Sequence, residues 1–376
     1  MIARTYFQPV LDCLRDERKV VILYGPRQVG KTTLADSVLS ELGLKTLRLN
    51  ADESKYIEVL SSRDLTKMRR LVDGYDILFV DEAQRIPDVG INLKILHDSL
   101  PHLKIIATGS SSFDLSNQIR EPLTGRTRTF VLYPVAMTEL SRYMTPFEMD
   151  DHLENALIFG AYPEVLSKNS TQEKIIYLKE LTSAYLYKDI LELSGIRNAN
   201  KLNGLLRLLA FQTGSLVSLQ EVANSLQLSQ PTVSNYLDLL EKSFVIFRLS
   251  GFSRNLRKEI SKMEKFYFVD LGVRNAILDN FNELSLRNDT GQLWENFLLT
   301  ERRKKLAYQF QFAGSYFWRT YNGAELDYVE EGGGRLDGYE FKFGNKKVRA
   351  PIPWATDYPE ASFQLINRDN YQDFIL

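Results

Sequence analysis

Phe7, Val10, Leu11 and Leu14 recur at helical spacing, and the next apolar positions, 20–24, run without a break. That pattern predicts a helix followed by a strand buried on both faces. Leu34, Val38 and Leu42 continue a second helix that Gly43 is placed to stop, and 45–50 reads as another strand. Further buried strands are expected at 77–80 and 104–108, with 91–100 helical between them. Helix and strand in alternation point to a parallel sheet covered by helices.

The pattern changes near Tyr133, where Pro134 ends a strand and long helical stretches such as 174–193 take over. Ser218 and Glu221 have the spacing of a capping box opening a helix through Val222, Ala223 and Leu226. A turn at 227–229 follows, and Ser229 can cap a second helix whose stripe is Val233, Leu237 and Leu240, with Pro231 in its first turn. This is helix-turn-helix spacing. Its open face offers Gln230, Thr232 and Asn235 to nucleic acid, while Asp238 and Glu241 oppose phosphate; the basic stretch 254–265 is the better phosphate contact. The expected partition is 1–145, a helical region 146–214, a helix-turn-helix with basic linker 215–283, and a strand-rich part 284–376.

A chain of 376 residues exceeds one compact core, so two or three domains are expected. Lys plus Arg number 47 and Asp plus Glu 48, so no global field draws the protein to a polyanion, and any DNA or RNA contact must be a local patch. The one cysteine, Cys13, leaves no internal disulfide and fits a reducing compartment. Asp12, Arg15, Asp16 and Glu17 interrupt what a signal peptide would need to be apolar, and no run approaches membrane-spanning length. A cytoplasmic protein without a membrane partner is expected.

Between the first strand and its helix lies Gly25-Pro26-Arg27-Gln28-Val29-Gly30-Lys31-Thr32, the pattern GxxxxGK[ST]. Glycines let the backbone wrap a phosphate chain, inward N–H groups and the helix dipole supply positive potential, Lys31 bridges the outer phosphates and Thr32 offers its hydroxyl to Mg²⁺. Thr33 is a weaker phosphate contact. The strand 77–80 ends in Asp81, a metal carboxylate, and Glu82, directed differently and suited to polarising the attacking water. The hydroxyls of 108–112 suit a sensor, with Ser110 the choice. Among Arg120, Arg126 and Arg128, Arg126 is the candidate to neutralise developing charge, in cis or from a neighbouring copy in a homo-oligomer. ATP and Mg²⁺ are therefore the expected cofactors.

GPRQVGKTTL at 25–34, FVDEAQ at 79–84, TGSS at 108–111 and LTGR at 123–126, with YPVAMTEL at 133–140, FGAYPE at 159–164, FYFVDLGVRNA at 266–276 and AELDY at 324–328, resemble a family of bacterial and archaeal AAA-like ATPases with a C-terminal domain of unknown function. The resemblance spans nearly the whole chain. It implies an α/β fold class: an AAA-like P-loop NTPase sheet with an extra strand between the two Walker strands, then a helical and winged-helix segment, then an α/β restriction-endonuclease-like domain. In that last part 324–329 and 339–343 read as strands around the turn 332–334, and alternation puts Glu340 and Lys342 on one face. An acid on one strand with Glu-x-Lys on the next is the PD-(D/E)xK pattern: Asp327 and Glu340 as Mg²⁺ ligands, Lys342 stabilising charge, and Glu295 of the preceding helix completing the set.

Three functions follow. The first is an Mg²⁺-dependent ATPase whose nucleotide state controls the winged-helix and nuclease-like region on nucleic acid. The second is a nucleotide-dependent interaction switch with a non-catalytic C-terminal domain, and the third an ATP-gated structure-specific nuclease.

Overall fold

The computed structural model describes residues 2–110, 122–194, 199–254 and 263–376, with side chains described throughout except 184–194. It divides into two compact units, Met1–Pro134 with Lys242–Phe244, and Val135–Glu241 with Val245–Leu376.

In the first unit the elements are α1 (Phe7–Asp16), β1 (Val20–Tyr24), α2 (Lys31–Leu42), β2 (Thr46–Asn50), α3 (Ser54–Leu60), α4 (Leu65–Val72), β3 (Ile77–Asp81), α5 (Val89–Ser99), β4 (Lys104–Gly109) and β5 (Thr127–Val131). The sheet order is β2-β3-β4-β1-β5, and every pairing is parallel. β4 therefore lies between the strand leading into the glycine loop and the strand ending in Asp81, as the resemblance implied. All five residues of β1 are buried, which explains their unbroken apolar run: a central parallel strand has no solvent face. Val20, Ile22, Leu78, Val80, Ile105 and Ala107 form the core of this sheet with Leu93 and Leu96 of α5. Each fully buried aliphatic chain here contributes about 2 kcal/mol.

The second unit begins with α6 (Met137–Leu140), α7 (Pro146–Phe159), α8 (Pro163–Ser167), α9 (Thr171–Ser194) and α10 (Ala199–Phe211). Next come β6 (Leu216–Val217), α11 (Leu219–Leu226), α12 (Gln230–Lys242), β7 (Ile246–Gly251), β8 (Glu264–Phe268) and α13 (Leu271–Leu278). The chain ends with α14 (Thr290–Tyr308), β9 (Gly314–Arg319), β10 (Glu325–Gly332), β11 (Arg335–Phe341), α15 (Ile352–Asp357), β12 (Ser362–Ile366) and α16 (Tyr371–Ile375). Ser218 caps α11 by accepting from the Glu221 N–H at 3.4 Å, and Ser229 accepts from the Thr232 N–H at 3.3 Å where α12 starts. Gln227 takes the left-handed conformation that turns one helix into the other.

A single seven-stranded sheet, β12-β11-β10-β9-β7-β8-β6, runs through this unit. Parallel pairing of Ser250 with Tyr316 and Gly251 with Phe317 joins the strands after the helix pair to the C-terminal strands. Of these strands the sequence pattern marks β10 and β11, while β7, β8, β9 and β12 and the joint between β7 and β9 come only from the structure, because pairing partners far apart in sequence leave no local trace.

FYFVDLGVRNA proves to be a buried framework. Asp270 accepts from Ala161 N at 2.8 Å, Asn275 donates to the carbonyls of Leu157 and Ile158, and Asp289 takes the guanidinium groups of Arg274 and Arg287. Among the described residues no helix is long and apolar enough to cross a membrane.

Candidate nucleotide-binding site

The loop from Gly25 to Gly30 joins the buried end of β1 to the first turn of α2. Gly25 has φ 145, and a Cβ there would fall 2.0 Å from the carbonyl oxygen of Leu132, so no side chain fits. Gly30, the residue before α2, has φ 92, and Gln28 is also left-handed at φ 58. These turns fold the loop so tightly that the Lys31 ammonium, only 7% exposed, donates to the carbonyls of Gly25 at 2.9 Å and Pro26 at 2.7 Å. Pro26 and Val29 are buried, Arg27 is half-buried, and Thr32 and Thr33 are exposed at the start of the helix.

Arg4 braces this loop, donating to Val29 O at 2.6 Å and to Tyr133 O at 2.6 Å. Sequence reasoning missed it, since nothing in its neighbourhood marks an arginine preceding α1 as a partner of a loop more than twenty residues on.

The adjacent strand ends bring the acids to the loop. The Thr32 hydroxyl lies 3.1 and 3.3 Å from the two Asp81 oxygens, across 49 residues of sequence. Thr108, at the end of β4, donates its hydroxyl to the same carboxylate and accepts from the Glu82 N–H at 3.2 Å. Glu82 itself is left-handed, φ 53, a conformation uncommon for a side-chain-bearing residue, and one that turns the chain sharply after Asp81. Its carboxylate accepts from the Gln84 amide and from Ser110 Oγ at 3.3 Å, and Gln84 also donates to Ser110 at 3.2 Å. Gln84 is 8% exposed, and its Oε1 has no hydrogen-bond partner among the described residues. Thr108 and Gln84 were both inside quoted motifs, yet their roles need the β3–β4 pairing to become visible. Lys31, Thr32, Asp81, Glu82 and Ser110 are thus brought to one end of the sheet, with donors and carboxylates that fit a magnesium-bound triphosphate.

Arg126 is not brought there. It immediately precedes β5, where Val20 pairs with Thr127, whereas the loop leaves β1 at Tyr24 beside Val131. Five strand residues, about 16 Å, separate the two ends. Its guanidinium instead donates to Asp98 at 2.8 Å, and this bond holds the Asp98 carboxyl down at about 2. The expected role of Arg126 is in cis or from a neighbouring copy, and the direction of β5 sets it away from its own loop. Arg128 pairs with Glu17 at 3.0 Å, while Arg120, Ser111 and Ser112 lie outside the described residues.

In the second unit Asp327 accepts from the Phe341 N–H at 2.8 Å, and Glu340 pairs with Lys342 at 2.7 Å. Glu295, on α14, accepts from the Tyr267 hydroxyl at 2.6 Å and lies 3.5 Å from Lys265. Burial and the nearby Asp327 charge raise Glu295 to about 7 despite the opposing Lys265. Burial likewise raises Asp327 and Glu340. Among the described residues no three His, Cys, Asp or Glu side chains are grouped to hold a metal ion. Each of Glu295, Asp327 and Glu340, the expected Mg²⁺ set, has a protein donor at one carboxylate oxygen.

Residues 17–141 match the sequence model of an AAA domain, 150–284 a domain of unknown function (DUF8612) and 290–365 a domain of unknown function (DUF4143). The chain is 29% identical to an uncharacterized protein of Mycobacterium tuberculosis over 86% of its own length and 70% of that protein. It is 27% identical to an uncharacterized protein of Methanocaldococcus jannaschii over 76% and 67%. Replication-associated recombination protein A of Haemophilus influenzae is 30% identical over 33% of this chain and 27% of its own. Among solved structures, replication initiator DnaA bound to AMPPCP and single-stranded DNA aligns over 64% of this chain and 90% of that one, at 16% identity and a TM-score of 0.33. The Thermotoga maritima RuvB Holliday junction branch migration motor aligns over 66% and 90%, at 21% identity and 0.31. The residues that match an AAA domain, 17–141, contain the glycine loop, Asp81, Glu82, Gln84, Thr108 and Ser110.

Proposed function

We propose that the protein is a Mg²⁺-dependent ATPase whose nucleotide state is passed to a winged-helix and nuclease-like C-terminal region acting on nucleic acid. One observation carries the ATPase reading: Thr32 and Asp81 meet at the mouth of the glycine loop while Glu82, beside them, is held by Gln84 and Ser110. In this reading Lys31 exchanges its loop carbonyls for the β- and γ-phosphates. Thr32 and Asp81 hold Mg²⁺, which supplies charge neutralisation at the phosphates. Glu82 orients and polarises the attacking water, and Ser110 senses the outer phosphate. Arg126 serves a neighbouring copy's site.

Chain continuity supports the transmission. Leu132 and Tyr133 pack against the glycine loop directly and through Arg4. Two residues later the chain is fixed to α14: Lys304 donates to Val135 O at 3.2 Å and Glu301 accepts from Met137 N at 2.7 Å. Glu301 and Lys304 are themselves a buried ion pair, 2.6 Å apart. A loop that shifts on binding ATP thereby pulls on a segment whose far end is anchored in the second unit.

For the helix pair α11–α12, Gln230 and Asn235 are exposed, and the acids opposing phosphate are occupied: Arg248 takes Asp238, Glu241 and Glu264 together. One guanidinium shared by three carboxylates leaves that group acidic, so the exposed amides of Gln230 and Asn235 are what this face offers to nucleic acid. The rest of the basic stretch, 255–262, lies outside the described residues. A second reading, in which the C-terminal domain is a non-catalytic platform, is favoured by the protein partners already taken by Glu295, Asp327 and Glu340.

Steady-state ATP turnover with and without Mg²⁺, together with DNA affinity with and without ATP, tests the proposal. Hydrolysis that requires Mg²⁺ and DNA binding that responds to ATP are expected; no turnover by folded protein overturns the ATPase reading, and nucleotide-independent DNA binding overturns the coupling.

A further inference from the structure

With a formal net charge of -1 the chain has no overall field to draw a polyanion, so a nucleic-acid contact needs a stretch whose charge is unbalanced locally. Residues 341–356 are such a stretch. They hold Lys342, Lys346, Lys347 and Arg349 and no acid. Lys342 is paired with Glu340, but Lys346, Lys347 and Arg349 are exposed and have no hydrogen-bond or ion-pair partner among the described residues.

The backbone of the same segment is open as well. Lys342 N donates to Ile366 O at 3.0 Å and Ala355 N to Pro351 O at 3.1 Å, yet no N–H of residues 343–350 donates to an acceptor among the described residues. Phosphate oxygens are bound by lysine and arginine side chains and by main-chain N–H groups together, and this loop offers both. It is also fixed at its two ends. The Phe343 ring meets Trp294 edge-on with centroids 5.6 Å apart and carries the Arg368 guanidinium 5.3 Å over its face, while Ala350 packs against the cluster that contains Trp354 and Tyr358. Because β11 and β12 run parallel with Phe341 opposite Ile366, the loop and the exposed Arg368 leave the sheet at the same end, where Asp327 of β10 takes the Phe341 N–H.

We infer that the loop 344–349, with Arg368 beside it, is a sequence-independent contact for the phosphodiester backbone of nucleic acid. The inference rests on the reading that the protein acts on nucleic acid, and it names the surface: the end of β11, not the acidic helix pair α11–α12. An anionic lipid surface would need an apolar face beside the charge, and of the large hydrophobic residues in 341–356 only Ile352 is exposed. Unpaired amides set between cations suit the discrete phosphate oxygens of a polymer instead.

Fluorescence anisotropy of a labelled random-sequence DNA duplex, titrated with the full-length chain at a series of salt concentrations with and without ATP, tests this. The triple variant Lys346→Gln, Lys347→Gln, Arg349→Gln is expected to bind at least about 10-fold more weakly at low salt, and the slope of log affinity against log salt to shrink by about 2 to 3. Each single substitution is expected to take about 1 from that slope. The control triple Lys67→Gln, Arg69→Gln, Arg70→Gln removes the same charge from exposed positions on α4 and is expected to keep the wild-type slope. A folded loop variant that binds like the wild type, or no more weakly than the α4 control, overturns the inference and leaves the nucleic-acid reading intact. Wild-type protein that binds neither DNA nor RNA, with ATP or without, overturns both, and binding to phosphatidylserine vesicles in its place assigns the loop to a membrane surface.

Discussion

Gln84 donates its side-chain amide both to the Glu82 carboxylate and to the Ser110 hydroxyl, the latter at 3.2 Å, so one buried amide fixes the two groups expected to handle the attacking water. A carboxylate on a left-handed residue beside a loop would otherwise sample several rotamers. Gln84→Ala is therefore expected to lower kcat about 10-fold while ATP affinity stays unchanged, and Glu82→Gln to lower it by roughly 10² to 10⁴. Single-turnover hydrolysis combined with equilibrium ATP binding checks this. A parallel loss of affinity in Gln84→Ala would show that the amide shapes the loop instead.

Arg126 lies at the far end of the strands from its own loop, tied to Asp98. If it completes a neighbouring copy's site, Arg126→Ala keeps ATP binding but loses turnover by about 10³-fold, in the range of supplied arginines. Mixing that inactive chain with inactive Glu82→Gln chain is then expected to restore hydrolysis, since each mixed pair contains one intact site. No recovery on mixing removes the trans role.

Gly25 combines φ 145 with a Cβ position 2.0 Å from Leu132 O. Gly25→Ala must move either the loop or the end of β5, and is expected to cost about 2 kcal/mol of stability along with most ATP affinity. Chemical denaturation and calorimetric ATP titration report the two effects. An unchanged variant would mean that the close approach does not hold the loop.

Burial alone would raise the Asp289 carboxyl, but hydrogen bonds from Arg287 and Arg274 outweigh it and hold the group at about 2. A depressed folded value stabilises the protein above the ordinary carboxylate range, and that contribution disappears as pH falls from about 4 through about 2. Asp289→Asn is expected to lose about 2 kcal/mol near neutrality, with the gap from wild type closing across that acidic window. Urea unfolding at a series of pH values measures it, and a gap independent of pH would assign the effect to packing.

The sequence by itself determined the strand, glycine loop and helix, and placed acids at the next strand's end. Those features are local: apolar runs, left-handed turns and a loop of fixed length are all written within a few neighbouring residues. The positions of α1, β1, α2, β3 and β4 follow from the same local rules, and so do the caps at Ser218 and Ser229. What only the tertiary structure decided is which distant residues share a site. Insertion of β4 between β1 and β3 puts Thr108 on Asp81 and Ser110 on Glu82, strand direction carries Arg126 away from its own loop, and the β7–β9 joint extends the C-terminal sheet to the strand that delivers Lys265 to Glu295. Such neighbours are set by strand order, which depends on packing of the whole sheet and leaves no periodic mark along the chain.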